Sequence, residues 1–169
     1  MQQDVEILSF EDKYAPYFDQ INREWIQDMF RLEETDEHIL KNPRAEVIDR
    51  GGVILFAKAG ELGIVGTGAL LKTGAGSFEL TKMGVLKKAR GLKVGEKLLQ
   101  GLIEAFRQQK ATVLYLLTNT DCEAAIHLYE KNGFVHDAGI MNDYGKKYQR
   151  CNVAMRLADP APGWTAQNR

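Results

Sequence analysis

The chain has 169 residues, 44% of them hydrophobic and 27% charged, with a formal net charge of -1. That length and composition fit one globular domain with a substantial core, and the near balance of charge argues against a nucleic-acid partner, which calls for a broadly basic face. Met1-Gln-Gln-Asp-Val-Glu6 has no basic start leading into an apolar run, and no apolar run reaches the roughly 18 residues of a membrane span. A cytoplasmic protein without a membrane partner is therefore expected.

Val5 to Phe10 alternates as a first strand, and Ser9 with Asp12 is expected to form a capping box that starts a helix with Pro16 near its beginning. Tyr14, Tyr17, Phe18, Ile21, Trp25 and Met29 recur at helical spacing, and a second short helix is expected over about Asp36 to Leu40, ending before Pro43. Three β-rich runs follow, Gly52 to Lys58, Leu62 to Leu71 and Ser77 to Leu86, separated by Gly60 and by Gly74-Ala-Gly76; they read as antiparallel strands. Next, Val94, Leu98, Leu99, Leu102, Ile103 and Phe106 form the apolar stripe of a long helix, with Glu96, Lys97, Gln100, Glu104 and Arg107 opposite.

Thr112 to Thr118 is a buried strand reached by a crossover, so it should run parallel to the strand at 78–86. A helix from about Cys122 to Lys131 stops at Asn132-Gly133. Phe134 onward and Gln149 to Leu157 are expected as the last two strands, around a loop containing Asn142-Asp-Tyr-Gly145. Residues 1–158 read as one domain and 159–169 as a tail, in which Pro160-Ala-Pro-Gly163 ends regular structure before Trp164. Cys122 and Cys151 make no metal-spaced cluster with His38, His127 or His136, so free thiols and no metal are expected.

The chemistry lies where the strand at 78–86 enters the long helix. Between Lys82 and Lys97 stand Lys82, Lys87, Lys88, Arg90, Lys93 and Lys97 against the single acid Glu96. Unpaired amides at a helix start favour an anion, and Gly91 and Gly95 let the backbone come close to it. Arg90-Gly-Leu-Lys-Val-Gly95 resembles the acetyl-CoA loop of the GCN5-related N-acetyltransferases (GNAT), whose pattern is Arg or Gln, two residues, Gly, one residue, then Gly or Ala. Lys93 stands at the pattern's first glycine; a place in the first helical turn needs no positive φ there, and its ammonium would add a phosphate partner. Ala125-Ile-His-Leu-Tyr-Glu-Lys-Asn-Gly-Phe134 resembles a second family segment, although Cys122 stands where that family often has Asn.

The resemblance covers roughly residues 4–157. It implies an α/β fold in the order β-α-α-β-β-β-α-β-α-β-β, with a mixed, mostly antiparallel sheet of about seven strands and helices on both faces. It also implies an acetyl-CoA-dependent N-acetyltransferase acting on a primary amine of a small molecule, amino acid or peptide by direct attack in a ternary complex. A non-catalytic acyl-CoA-binding sensor is the alternative, and dimerisation through an edge strand is left open.

For the cofactor the resemblance implies Met83, Gly84 and Val85 along the strand, with the Met83 or Gly84 N–H as oxyanion donor. It adds Arg90, Gly91, Leu92, Lys93, Val94, Gly95 and Glu96 at the diphosphate, and Asn119, Ala125 and Tyr129 beyond. Tyr129 is the expected acid for the leaving thiolate, since a phenol is protonated at neutral pH. Glu79 is implied as general base through water, on one strand face with Thr81, Met83 and Val85. Trp25, Phe30 and Glu33, in the acidic run Glu33-Glu-Thr-Asp-Glu37, with Tyr144 and Tyr148, are expected at the acceptor; the acidity would attract a cationic amine.

The glycine pairs Gly66-Thr-Gly68 and Gly74-Ala-Gly76 neither open a long helix nor complete a dinucleotide-binding pattern, and the loop at 91–95 lacks a Gly-Lys-Ser/Thr ending.

Overall fold

β-rich runs, buried on both faces at the centre, build a seven-stranded sheet, and the amphipathic segments between them cover its two faces. In the computed structural model, which describes residues 4–158, the chain runs β1 (Val5–Ser9), α1 (Ala15–Met29), α2 (Glu34–Lys41), β2 (Val53–Ala59), β3 (Ile64–Gly74) and β4 (Ser77–Val85). It continues α3 (Val94–Gln108), β5 (Val113–Thr118), α4 (Glu123–Lys131), β6 (Phe134–His136), α5 (Ala138–Tyr144) and β7 (Val153–Leu157). The tail expected at 159–169, with Trp164, lies outside the described residues.

The strand order is β1-β2-β3-β4-β5-β7-β6, antiparallel except for β4 and β5. This is the mixed, mostly antiparallel sheet with helices on both faces that the resemblance implies. On one face lies α3, whose six apolar positions, Val94, Leu98, Leu99, Leu102, Ile103 and Phe106, are all buried. At about 2 kcal/mol for each fully buried side chain, that stripe is a large part of the packing energy. Gly66 and Gly68 of β3 seat it: a Cβ at Gly66 would come 2.8 Å from Leu98 and Val94, and one at Gly68 2.7 Å from Leu102. The glycine pair is thus a packing device. The other face is covered by α1 and α2 over Phe56, Ile54 and Ala69, and by α5 over Tyr115 and Ala154.

Three local expectations are corrected. No side-chain capping box forms at Ser9 and Asp12; a 3-10 turn over Asp12–Tyr14 leads into α1 instead, and the capping box belongs to Glu33 and Asp36 at the start of α2. The segment expected as a loop around Asn142 is helix α5, started by Asp137, whose side chain accepts from the Ile140 N–H at 3.1 Å. That helix shortens β7 to begin at Val153 rather than Gln149.

The third correction sits in β4. Thr81 faces Ala69 and Gly84 faces Thr67, so Lys82 and Met83 together oppose the single residue Gly68. This is a β-bulge, with Lys82 in the left-handed region at φ 51. An extra residue reverses the alternation, so Glu79, Thr81, Met83 and Val85 do not share a face. Met83 and Val85 pack against the α3-side core, whereas Glu79 and Lys82 make their contacts on the opposite face.

Candidate active site

The register of β4 and β5 determines where the sheet opens. They pair in parallel from Ser77 with Val113 to Leu80 with Leu116 and no further, although β4 runs on to Val85 and β5 to Thr118. A cavity occupies the resulting gap. Thr81, Lys82 and Met83 line it from β4, Leu117, Thr118 and Asn119 from β5, Cys122 and Tyr129 from α4, Trp25 and Phe30 from the end of α1, and Tyr148, Arg150 and Cys151 from the segment before β7.

Tyr129 is almost fully buried, in tilted contact with Phe134 at 5.8 Å between ring centroids. Burial pushes its phenol well above the ordinary value, so it stays protonated through the neutral range. Among the described residues no hydrogen-bond partner meets its hydroxyl, yet no side-chain polar atom sealed from solvent lacks a partner. The hydroxyl therefore opens into the cavity with its proton available.

On the helix side, Val94, Gly95 and Glu96 are the first three residues of α3, and no side chain caps this end. The first helical bond there runs from the Lys97 N–H to the Lys93 carbonyl at 3.2 Å, so the three preceding amides have no partner within the helix. Lys93 lies outside the helix, at its N-cap, with φ 60, and Gly91 has φ 85. Lys93 therefore adopts the left-handed conformation that the family's glycine would supply freely, at about 1–2 kcal/mol; its expected place in the first helical turn is corrected. Glu96, the one acid of this turn, pairs with Lys131 of α4 at 3.0 Å, so Lys88, Arg90 and Lys93 dominate the local field. The buried Val94 side chain serves the core, which leaves its amide for a ligand. Ala125 packs against the same α3-side core, and so does Leu92.

The acceptor side differs most from expectation. Lys82 donates to Asp36 at 2.8 Å and to the Tyr148 hydroxyl at 3.1 Å. Arg150 makes two bonds to Asp36, at 2.6 and 2.9 Å, and one to Glu33 at 2.9 Å. Both cations also lie over the Tyr148 ring, the Lys82 Nζ at 4.5 Å and the Arg150 Cζ at 4.7 Å from its centroid. Burial draws the Lys82 ammonium below its usual value, with Asp36 opposing that shift. Burial pushes the Asp36 carboxyl up, but its Arg150 hydrogen bond and the Lys82 charge outweigh that and bring it down to about 2.

Three of the four acids in the run are thereby already paired. Glu33 holds Arg150 and caps α2, Asp36 holds both cations, and Glu37 holds Arg23 and Lys41. None of the three lines the cavity. The expectation that they attract a cationic amine is corrected: the charged side chains lining the cavity are Lys82 and Arg150.

Of the remaining sequence-derived candidates, Trp25, Phe30, Met83, Asn119 and Tyr148 line the cavity. Trp25 gives its indole N–H to Asn22 at 2.9 Å and lies against Gly84, where a Cβ would come 2.4 Å from its ring. Asn119 uses both ends of its amide, donating to the Arg150 carbonyl at 2.6 Å and accepting from the Asp121 N–H at 2.8 Å, so it anchors a turn. Tyr144 stacks on Tyr115 at 4.3 Å away from the cavity. Glu79 is buried against Lys147 at 2.7 Å and is not among the lining residues.

Lys82, Arg150, Thr81 and Cys151 also line the cavity and were not among the site candidates in the sequence. A lysine inside the apolar run Phe78 to Leu86 was the available signal for the first; Arg150 had none, because its partners lie more than a hundred residues away. Among the described residues there is no cluster of three or more metal-ligating side chains, and no helix is long and apolar enough to cross a membrane.

A sheet opened between two parallel strands, with an uncapped helix start and a buried tyrosine, is the arrangement that the resemblance to acyltransferases implies. The model of the Acetyltransferase (GNAT) family matches residues 11–134, and the chain belongs to that family. No curated protein sequence is significantly similar to it. Among solved structures it is similar to a GNAT-family acetyltransferase of Staphylococcus aureus Mu50, at TM-score 0.81 and 24% identity over 91% of this chain and 98% of that one. An acetyltransferase of Streptococcus agalactiae 2603 matches at TM-score 0.74 and 20% identity, over 90% and 97% of the two chains. The PaiA N-acetyltransferase of Thermoplasma acidophilum, solved in complex with coenzyme A, matches at TM-score 0.66 and 15% identity, over 91% and 98%. At these identities the likeness is one of fold.

Proposed function

We propose that the protein transfers the acetyl group of acetyl-CoA to a primary amine of a small molecule, amino acid or peptide, by direct attack in a ternary complex. The observation that carries this reading is the unpartnered Tyr129 hydroxyl at the opening of the sheet, in a fold whose long helix starts with the bare amides of Val94 to Glu96. The diphosphate would rest on those amides and on the turn from Arg90 to Lys93, with the pantetheine arm along Met83 to Val85 as an added strand.

The neutral amine attacks the thioester carbonyl, forming a C–N bond and a tetrahedral oxyanion that the Met83 or Gly84 N–H would meet. Collapse breaks the C–S bond, and Tyr129 gives its proton to the departing sulfur. Glu79 is kept as the base for the amine proton; because Lys147 holds it outside the cavity lining, it would act through water. Coenzyme A release that depends on added amine tests the function. Tight acetyl-CoA binding without turnover over a broad amine panel would favour the sensor instead. Glu79→Gln tests the base: intact acetyl-CoA binding with unchanged turnover removes Glu79 from that role.

A further inference from the structure

Resting on the acyl-transfer reading above, we propose that the acceptor is an amine that also carries a carboxylate, held in the acceptor half of the cavity by Lys82 and Arg150. Lys82 is 2% exposed and Arg150 12% at the side chain, and both line the cavity, while the carboxylates that neutralise them stand behind. An ammonium has three N–H groups and a guanidinium five. Asp36 and Tyr148 take two from Lys82, and Asp36 and Glu33 take three from Arg150, so donors remain on both.

A cation brought into this half would meet Lys82 and Arg150 before any acid. Like-charge repulsion in a half-buried site is costly, which disfavours polyamines and basic peptides. An anion would meet the donors. Asp36 and Glu33 already cancel much of the cationic charge, so a singly charged carboxylate suits the site better than a doubly charged phosphate. Trp25, whose N–H is already given to Asn22, and Phe30 supply an apolar wall next to these donors. A free amino acid with an apolar side chain has the required combination.

The test uses the intact protein with matched trios: phenylalanine, phenylalaninamide and phenethylamine, then leucine, leucinamide and 3-methylbutylamine. The amide's amine is less basic than the amino acid's and the decarboxylated amine's is more basic, so amine basicity alone cannot favour the middle member. At least tenfold higher kcat/KM for the acids than for both relatives supports the carboxylate site. Equal or lower values for the acids overturn it while leaving acyl transfer intact. In Arg150→Gln and Lys82→Met the preference should shrink at least tenfold, mainly through KM; a preference that persists in both overturns the assignment.

A second arm needs neither turnover nor variants. With coenzyme A present, N-acetylphenylalanine should raise Tm and N-acetylphenylalaninamide should not. If no amine is acetylated, the acyl-transfer reading fails, yet the site still stands when only the acid shifts Tm. It falls when the two shift Tm equally or neither does.

Discussion

Asp36 is fully buried between two cations, and its charge carries the acceptor side. Its carboxyl lies at about 2, below the ordinary value of about 4 in an unfolded chain. The stability this lowering contributes is complete above the unfolded value and is lost as pH falls from there through the folded one; it amounts to about 2 kcal/mol. Tm should therefore drop between about pH 4 and pH 2. Asp36→Asn should flatten that limb and cost about 3–5 kcal/mol at neutral pH, because two buried cations lose their counter-charge; denaturant midpoints measured across pH check both. At the other end of the cavity, Tyr129→Phe removes only a hydroxyl that meets no hydrogen-bond partner among the described residues. Turnover should fall about 100-fold with acetyl-CoA affinity unchanged, read from steady-state rates and calorimetry.

At the scale of elements, Lys82 and Lys93, two of the three left-handed lysines, show where sequence patterns stop being informative. The β-rich run from Ser77 to Leu86 correctly predicts β4 as a strand, yet nothing in Thr-Lys-Met announces the bulge at Lys82, which moves Met83 to the opposite face from Thr81. Helical periodicity likewise marks α3 well but cannot tell whether Lys93 is its first residue or its cap. Helix α5 was missed because Gly139, Asn142 and Asp143 are turn formers by propensity, and its support comes from packing of Ile140 and Tyr144 against Tyr115. The Lys93 geometry is testable. Lys93→Gly exchanges strain relief for unfolded-chain entropy, so stability should stay within about 1 kcal/mol, and acetyl-CoA affinity should change little if amides rather than the ammonium hold the diphosphate. Lys93→Pro removes an amide and forces φ to about -65°, and calorimetry should detect no binding.

For the whole molecule, Met83 and Tyr129 line the same cavity as Lys82 and Arg150, so in the proposed reaction both substrates are expected there together. Initial-rate plots with acetyl-CoA and amine both varied should intersect. No acetyl group should remain on the protein: burial lifts the Cys151 thiol to about 11, which leaves it protonated and a poor nucleophile. A Cys122→Ser, Cys151→Ser double variant that keeps most of its turnover, with no acetylated species in the mass spectrum, meets that expectation. The order of the first ten elements was legible from apolar patterning and its glycine breaks, and the fold class from the resemblance carried by Arg90 to Gly95 and Ala125 to Phe134. The cluster beside the cavity was not, because Lys82, Asp36, and Tyr148 with Arg150 converge from three separate segments.

One consequence follows from the position of β7, which is inserted between β5 and β6 rather than added at an edge. During synthesis, β1 to β5 can pair while β6 still lacks its one neighbour and Tyr115 to Thr118 present bare peptide groups to any passing extended polypeptide. Ribosome-bound intermediates ending before Val153 thus carry a sticky seam, and closing it is a long-range step of the kind that makes nascent chains dependent on chaperones.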